Sequence, residues 1–222
     1  MTQLRQITLR LALALAAVLV AAAAAAAQAQ GQWPIITKAR VDKQGAAFTG
    51  PVYVTVNDQE KKVAESALEA WVIRGGRQVV YSGLDGSGGF EDEGQSLRVY
   101  DVRTGKTRKV MSEYVAVDKV TEVTTSRGKT ALLVEMSDGG LGASYLAVVD
   151  PDRGEVFSRA WVRLLERRGD VIVMGHYKED DWGEMMEEGG KQRVKPYKTE
   201  RRNLSLLLRR RRVIYNKREA RM

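Results

Sequence analysis

The sequence predicts a mainly β protein built from antiparallel meanders, with one or two short helices near the C-terminus. Short runs rich in β-branched and aromatic residues recur along the chain and are bounded by Gly, Asp and Ser. Few windows show the 3.6-residue periodicity of a helix. The predicted strands contain Val52–Val56, Val79–Tyr81, Leu97–Tyr100, Leu132–Val134, Leu146–Val149 and Val171–Met174.

Three segments depart from this strand pattern. Glu60–Leu68 is predicted to form a short helix. Asp181–Glu188 is predicted to form a second one, which begins at an aspartate cap and is followed by glycines. The pattern of Thr199–Arg211 is ambiguous between helix and strand.

The first 29 residues have the pattern of a secretory signal peptide. Arg5 and Arg10 precede the apolar run Leu11–Ala27, and small residues follow at the positions that signal peptidase requires. This predicts cleavage after Ala29 and an exported protein, periplasmic or extracellular. The alternative is a retained membrane anchor, because 17 apolar residues reach the low end of a membrane span.

Charge is unevenly distributed along the chain. Residues 30–190 carry 21 Lys and Arg against 26 Asp and Glu, whereas residues 191–222 carry 13 against 2. Zero cysteines exclude disulfides, thiolate metal sites and a cysteine nucleophile. The predicted organisation is a signal peptide at 1–29, an N-terminal segment with one strand at 30–62, a β-meander repeat domain at 63–190 and a basic C-terminal segment at 191–222.

The basic C-terminal segment contains a predicted anion-binding run, formed by Arg209, Arg210, Arg211 and Arg212. Leu206–Leu208 precede this run and Val213–Tyr215 follow it. The alternative is a solvated basic end without a ligand. The apolar flanks predict that part of the segment packs against the protein.

An internal repeat is the most informative feature of the central region. Leu97–Gly105 matches Leu146–Gly154 at an offset of 49, with Leu, Val, Asp and Gly identical. Upstream, Arg74-Gly75 matches Arg127-Gly128 at an offset of 53, and a third partial copy begins at Arg168-Gly169. Each unit predicts a meander, in which glycine takes positive φ and the aspartate binds the amides of its own turn.

These repeated motifs resemble the blades of bacterial β-propellers of the TolB and WD-like kind, over roughly residues 64–180. The resemblance implies blade-like antiparallel sheets. Two clear units and a degenerate third are fewer than the four that a ring usually needs, so we expect an incomplete arrangement. A second chain could complete it, the meanders could fold as a sandwich or open barrel, or the chain is an arc of a longer ancestor.

The glycine-rich acidic loop at residues 85–93 is a weak candidate for calcium, with Asp85, Glu91, Asp92 and Glu93 as the ligands. It lacks the alternation of an EF-hand loop, so a solvated loop is the preferred interpretation and no cofactor is expected. A second glycine-rich stretch, Ser137–Ser144, leads into another strand. It therefore offers no helix N-terminus for a phosphate.

His176 is the single histidine and lies just after a predicted strand, with Glu179, Asp180 and Asp181 following. It is the alternative catalytic residue, as a general base. No Gly-x-Ser-x-Gly motif accompanies it. The preferred interpretation is a histidine at a strand end that pairs with nearby acids, and no catalytic residue is predicted.

These observations favour an exported, non-enzymatic binding or scaffold protein that contacts a protein or an anionic envelope component. A homo-oligomer is compatible with the pattern, no nucleic acid is expected, and membrane contact is confined to the signal peptide or to a surface contact. The alternative is a hydrolase or metal-dependent enzyme that uses His176 and the acidic stretches at 85–93 and 179–188.

Overall fold

The computed structural model describes residues 34–45, 47–84, 95–113, 116–137, 144–178 and 194–209. These residues form four antiparallel sheets and one short helix near the C-terminus, which confirms the predicted fold class. In every sheet each strand pairs with its neighbours in the chain, as in a meander.

The four sheets follow one another along the chain. Sheet 1 contains β1 (Ile36–Val41), β2 (Gly50–Val56) and β3 (Gln59–Ala67). Sheet 2 contains β4 (Glu69–Ile73), β5 (Gln78–Leu84), β6 (Gln95–Asp101) and β7 (Lys106–Glu113). Sheet 3 contains β8 (Ala116–Thr124), β9 (Thr130–Ser137), β10 (Ser144–Asp150) and β11 (Gly154–Ala160). Sheet 4 contains β12 (Val162–Arg168), β13 (Val171–His176) and β14 (Lys198–Asn203), and helix α1 (Leu204–Leu207) follows it.

The repeated turn motifs occupy equivalent places in successive sheets. The Arg-Gly turns join the first strand to the second in sheets 2, 3 and 4, and Gly75, Gly128 and Gly169 have φ of 60°, 70° and 55°. Positive φ strains residues with a Cβ, which explains the glycine at each turn. The repeat predicted from the sequence is thus confirmed at all three positions.

The Asp-x-x-x-Gly motifs join the third strand to the fourth in sheets 2 and 3. Asp101 Oδ1 accepts a hydrogen bond from the backbone N–H of Thr104 at 2.9 Å. Asp150 Oδ1 accepts one from the N–H of Asp152 at 2.9 Å. Each aspartate therefore stabilises its own turn, as the sequence predicted.

Three apolar layers lie between the four sheets, one between each successive pair. Side chains alternate across a strand, so neighbouring residues enter different layers. On β9, Leu132 and Val134 pack towards sheet 2, whereas Leu133 packs towards sheet 4. Sheets 2 and 3 are consequently buried on both faces, which explains their uninterrupted apolar runs.

Adjacent sheets are joined by very short links. Leu68 alone separates β3 from β4, and Trp161 alone separates β11 from β12. Trp161 has a φ of +55°, in the left-handed region that a bulky residue rarely adopts. The chain therefore bends sharply at these links and contributes to two successive sheets.

The structure corrects two predictions for the N-terminal part of the fold. The helix predicted at Glu60–Leu68 is wrong, because residues 60–67 belong to β3, which pairs with β2. Asn57 and Asp58 have φ of 49° and 61° and turn the chain back along β2, so sheet pairing overrides the helix propensity of Glu, Lys and Ala. The segment 30–62 was predicted to hold one strand, but it holds β1, β2 and the start of β3.

The C-terminal segment also takes part in the fold. Its ambiguous stretch forms β14 and then α1, whose first turn begins with Asn203 Oδ1 accepting from the N–H of Leu206 at 3.1 Å. Leu204, Leu207 and Leu208 are buried against sheet 4 and sheet 3, which confirms that part of the basic segment packs. The described fold thus extends from Ile36 to Leu208, on both sides of the predicted repeat domain at 63–190.

Candidate functional site

His176 ends β13 and faces the layer between sheets 3 and 4, where its side chain is 7% exposed. Its Nε2 lies 2.9 Å from Oε2 of Glu200, on the adjacent strand β14. Tyr197 packs edge-on to the imidazole, with 6.3 Å between the ring centroids. The histidine is therefore held between two strands by a carboxylate that is distant in sequence.

Two arginines share the same carboxylate. Arg202 pairs with Oε1 of Glu200, and Arg159 Nη1 lies 3.6 Å from Oε2. Both guanidinium carbons lie 5.9 Å from the ring centroid of Phe157. We call His176, Glu200, Arg159 and Arg202 the Glu200 cluster.

The pKa values of His176 and Glu200 follow from burial and charge. Burial lowers the pKa of His176 by more than its hydrogen bond to Glu200 raises it, so the imidazole is neutral near pH 7. Burial raises the pKa of Glu200, but the charges of Arg202 and Arg159 and the hydrogen bond from His176 more than offset it. Glu200 is therefore ionised, and it ties β13, β14 and β11 together.

A second polar cluster fastens sheet 2 to sheet 3. The guanidinium of Arg74 makes two hydrogen bonds to the carboxylate of Asp152, at 2.9 and 2.5 Å. Arg108 Nη2 adds a third at 3.0 Å, and the hydrogen bond from Arg74 is the main cause of the lowered pKa of Asp152. The Glu122 carboxylate accepts from the backbone N–H of Arg74 at 2.9 Å. The first Arg-Gly turn thus has a role in packing.

Asp170 fastens sheet 3 to sheet 4 and to α1. Its Oδ1 accepts from the backbone N–H of Ser126 at 2.7 Å, and its Oδ2 accepts from the hydroxyls of Ser126 and Ser205. Its carbonyl oxygen accepts from the N–H of Leu204 at 2.8 Å. Sheet 4 is therefore fixed to the rest of the fold at its turn end, while the Glu200 cluster fixes it farther along the strands.

Sheet 4 and its flanks carry a strongly basic surface. Within the described residues 162–178 and 194–209, seven basic side chains are exposed and one acidic side chain is exposed, Glu166. In sheet 1, residues 36–67, the corresponding exposed residues are four basic and three acidic, so no such imbalance exists there. The seven basic residues are Arg167, Arg168, Lys178, Lys195, Lys198, Arg201 and Arg209.

The register of sheet 4 places part of this charge on its outward face. Ile172 is buried towards sheet 3, so Val171 and Val173 point the opposite way. Arg168 pairs with Val171, and Arg201 pairs with Val173. Glu166 also pairs with Val173 in this register and lies 2.5 Å from Arg168. The outward face therefore combines guanidinium groups and one carboxylate with small apolar side chains. We call it the basic face.

Only part of this charge was predicted from the sequence. Arg209, in the predicted anion-binding run, is exposed just after α1, and Arg210, Arg211 and Arg212 lie outside the described residues. Arg168 and Arg201 were not predicted as binding residues, although both lie in a repeated Glu-Arg-Arg triplet, at 166–168 and 200–202. Strand pairing brings the two triplets onto one sheet.

The remaining predicted sites lie outside the described part of the chain. Asp85, Glu91, Asp92 and Glu93 lie among residues 85–94, which the structure does not describe, and the acidic stretch 179–188 also falls outside the described residues. Among the residues that the structure does describe, no group of three or more His, Asp or Glu side chains could hold a metal ion. None of their helices combines the length and apolar character that a membrane span requires.

No protein-family model, curated protein or solved structure matches this chain. The function is therefore inferred from the exposed basic side chains and the strand register of sheet 4.

Proposed function

We propose that this chain is an exported, non-enzymatic binding protein whose sheet 4 binds an anionic polymer of the cell envelope. The observation that carries the proposal is the excess of seven exposed basic side chains over one exposed acidic side chain in sheet 4 and its flanks. Clustered cations of this kind attract polyanions and increase their local concentration.

The way sheet 4 is anchored supports a binding role. Its inner face packs on sheet 3 through an apolar layer that includes Ile172 and Met174, both fully buried. The Glu200 cluster and the hydrogen bonds of Asp170 hold it at separate points. A rigid sheet presents its charges without a large entropic cost of ordering, which favours binding.

The N-terminal pattern favours an envelope polymer as the polyanion. Arg5, Arg10 and the apolar run Leu11–Ala27 predict export, and an exported protein meets envelope polymers rather than chromosomal nucleic acid. Binding through exposed charges is screened by salt within about 10 Å at 0.1 M ionic strength. We therefore expect affinity to fall steeply as salt is added.

The test uses dextran sulfate as the polyanion and uncharged dextran as the negative probe. Arg168→Ser with Arg201→Ser removes two charges from the basic face, and Lys38→Ser with Lys62→Ser removes two from sheet 1. Each cation near an anionic surface contributes about 1 kcal/mol. We expect the sheet 4 variant to bind about thirty-fold more weakly at low salt, with a shallower salt dependence.

The sheet 1 variant is the matched control. It loses the same net charge, and Lys62, like Arg168, pairs with an exposed glutamate. Equal losses in the two variants would mean that net charge alone attracts the polymer, which overturns the assignment to sheet 4. Equal binding of dextran sulfate and uncharged dextran by the unaltered protein would overturn the role of charge.

A further inference from the structure

Sheet 4 exposes apolar side chains that attraction between charges does not explain. Six large hydrophobic side chains of the described residues are exposed, and single exposed ones are common on any protein surface. Two of the six, Leu165 and Tyr197, belong to sheet 4 and its flank, where they are 39% and 61% exposed. Whether they are grouped therefore matters more than their exposure.

A β-bulge places Leu165 on the basic face. The register of β12 with β13 shifts at Leu165, which makes it the extra residue of the bulge. Gly175 alternates with Met174, which is buried towards sheet 3, so a Cβ on Gly175 would point outward. That Cβ would lie 3.0 Å from Cδ1 of Leu165 and 3.0 Å from Cβ of Pro196. Leu165 and Pro196 therefore lie together over Gly175 on the outward face.

Tyr197 directly follows Pro196 and lies at the end of β13. Its backbone N–H donates to the carbonyl oxygen of His176 at 3.0 Å, and its ring packs edge-on to the buried imidazole. The ring is therefore positioned by a fixed partner although the residue is largely exposed. We call Leu165, Pro196 and Tyr197 the Tyr197 patch.

Cations flank the Tyr197 patch. Lys195 and Lys198 are exposed on either side of it in the sequence, and Arg201 lies on the outward face of β14. Within the described residues 194–209, no acidic side chain is exposed. Glu166, the exposed acid of β12, pairs with Arg168. A ligand on this surface therefore meets apolar groups and, beside them, cations.

We propose that the anionic polymer bound by sheet 4 is an acidic polysaccharide, whose sugar rings pack on the Tyr197 patch while its acidic groups pair with the flanking cations. The inference rests on the proposed function and names the class of its ligand. A sugar ring carries C–H groups on its faces and hydroxyl groups at its rim. It therefore packs on an aromatic or aliphatic surface while its hydroxyls stay in water.

The size of the patch favours a sugar over the other polyanions. A polyphosphate chain has no apolar face, so it makes no use of the patch. A stable protein interface buries about 800 Å² on each partner, which is far more than three side chains supply. One or two sugar rings require no larger apolar surface than this.

Binding of dextran sulfate and of polyphosphate to the full chain tests the ligand class. Both are polyanions, but only dextran sulfate contains sugar rings. Tyr197→Ser with Leu165→Ser removes two apolar side chains and no charge. We expect this variant to bind dextran sulfate about tenfold more weakly, because less apolar surface leaves water on binding. Its affinity for polyphosphate should equal that of the unaltered protein.

Phe48→Ser with Val72→Ser is the matched control. It also removes one exposed aromatic and one exposed aliphatic side chain, but outside sheet 4. Both affinities should stay unchanged in this control. Tyr197→Phe keeps the ring, so it should bind dextran sulfate nearly as well as the unaltered protein.

The salt dependence separates the Tyr197 patch from the charges. Apolar contacts are not screened by salt, so Tyr197→Ser with Leu165→Ser should keep the steep salt dependence of the unaltered protein. Arg168→Ser with Arg201→Ser should reduce that dependence. A shallower salt dependence in the Tyr197 variant would overturn the inference, because the patch would then act through charge.

The remaining outcomes separate this inference from the proposed function. Equal losses of affinity for dextran sulfate and polyphosphate in the Tyr197 variant would overturn the inference, since the patch would not recognise sugar rings. An equal loss for poly-glutamate would assign the surface to an acidic polypeptide and overturn it too. An unchanged affinity for dextran sulfate would overturn the inference alone. If the unaltered protein bound neither dextran sulfate nor polyphosphate, the proposed function would fail and the inference with it.

Discussion

Glu200→Gln is the substitution that most directly tests the Glu200 cluster. Glutamine keeps the shape of the side chain and one acceptor oxygen, but it removes the charge and puts an NH2 donor in place of the second acceptor oxygen. Arg159 and Arg202 would then lie beside Phe157 and His176 without a compensating carboxylate. We therefore expect the variant to fold with reduced stability.

The magnitude follows from how deeply the cluster is buried. Removing one partner of a fully buried ion pair costs about 3–5 kcal/mol. The side chains of Glu200, Arg159 and Arg202 are 14%, 18% and 34% exposed, so solvent screens part of the loss. We expect about 2 kcal/mol, which lowers the melting temperature of a domain of this size by about 4–8 °C.

The assay is thermal or urea unfolding, with Glu166→Gln as the matched control. Glu166 lies on the same sheet and pairs with Arg168 at 2.5 Å, but the Arg168 side chain is 79% exposed. Exposed ion pairs contribute about 0–1 kcal/mol, so the control should lose little stability. Equal losses in the two variants would refute the argument that burial makes the Glu200 pair important.

The pH dependence provides a second check. The pKa of Glu200 lies below its ordinary value of 4.5, because its cationic partners outweigh its burial. A carboxylate with a lowered pKa contributes stability above its unfolded pKa and loses that contribution as the pH falls through its folded pKa. The difference between wild type and Glu200→Gln should therefore disappear in acid. A constant difference would contradict the proposed role of the charge.

Two further predictions concern single positions. Burial lowers the pKa of His176 below 6.5. Wild type should therefore lose stability as the pH falls from 6.5 towards the lower pKa of the folded state. In unfolding measurements across that pH range, His176→Gln should lose less stability than wild type. Equal pH dependence would contradict this. Gly76→Ala should destabilise the fold by about 2–4 kcal/mol, because φ is +88° and the new Cβ would lie 2.6 Å from the carbonyl oxygen of Ile36. Gly75→Ala, with φ of +60° and no atom within 4 Å, should cost only about 1 kcal/mol, and equal costs would refute the packing argument.

The strands and turns of the central region could be predicted because their signals are local. Val79–Tyr81 and Leu132–Val134 have high β propensity, and the Arg-Gly and Asp-x-x-x-Gly motifs specify tight turns by their own backbone chemistry. Strands such as β7 and β12 were harder to recognise. Their exposed faces carry charged residues, which weaken the apolar pattern that identifies a strand.

Local signals also produced the clearest error. The segment that forms β3 is rich in Glu, Lys and Ala, which favour a helix in isolation. Pairing with β2 and the complete burial of Ala67 between sheets 1 and 2 outweigh that preference. Its true conformation depends on partners that a local sequence window does not contain.

The Glu200 cluster and the basic face are formed almost entirely by contacts between residues that are far apart in the sequence. Glu200 is 24 residues from His176 in the sequence but hydrogen-bonds to it in the fold. The acidic residues that closely follow the histidine in the sequence did not indicate this contact. Arg168 and Arg201 reach one face only because β12, β13 and β14 pair in a particular register. The sequence by itself determined the β-meander class, the turn positions and the location of basic residues, since those depend on near neighbours. The tertiary structure decided which sheets stack, which faces are buried and which charges meet, because those depend on contacts between residues far apart in the chain.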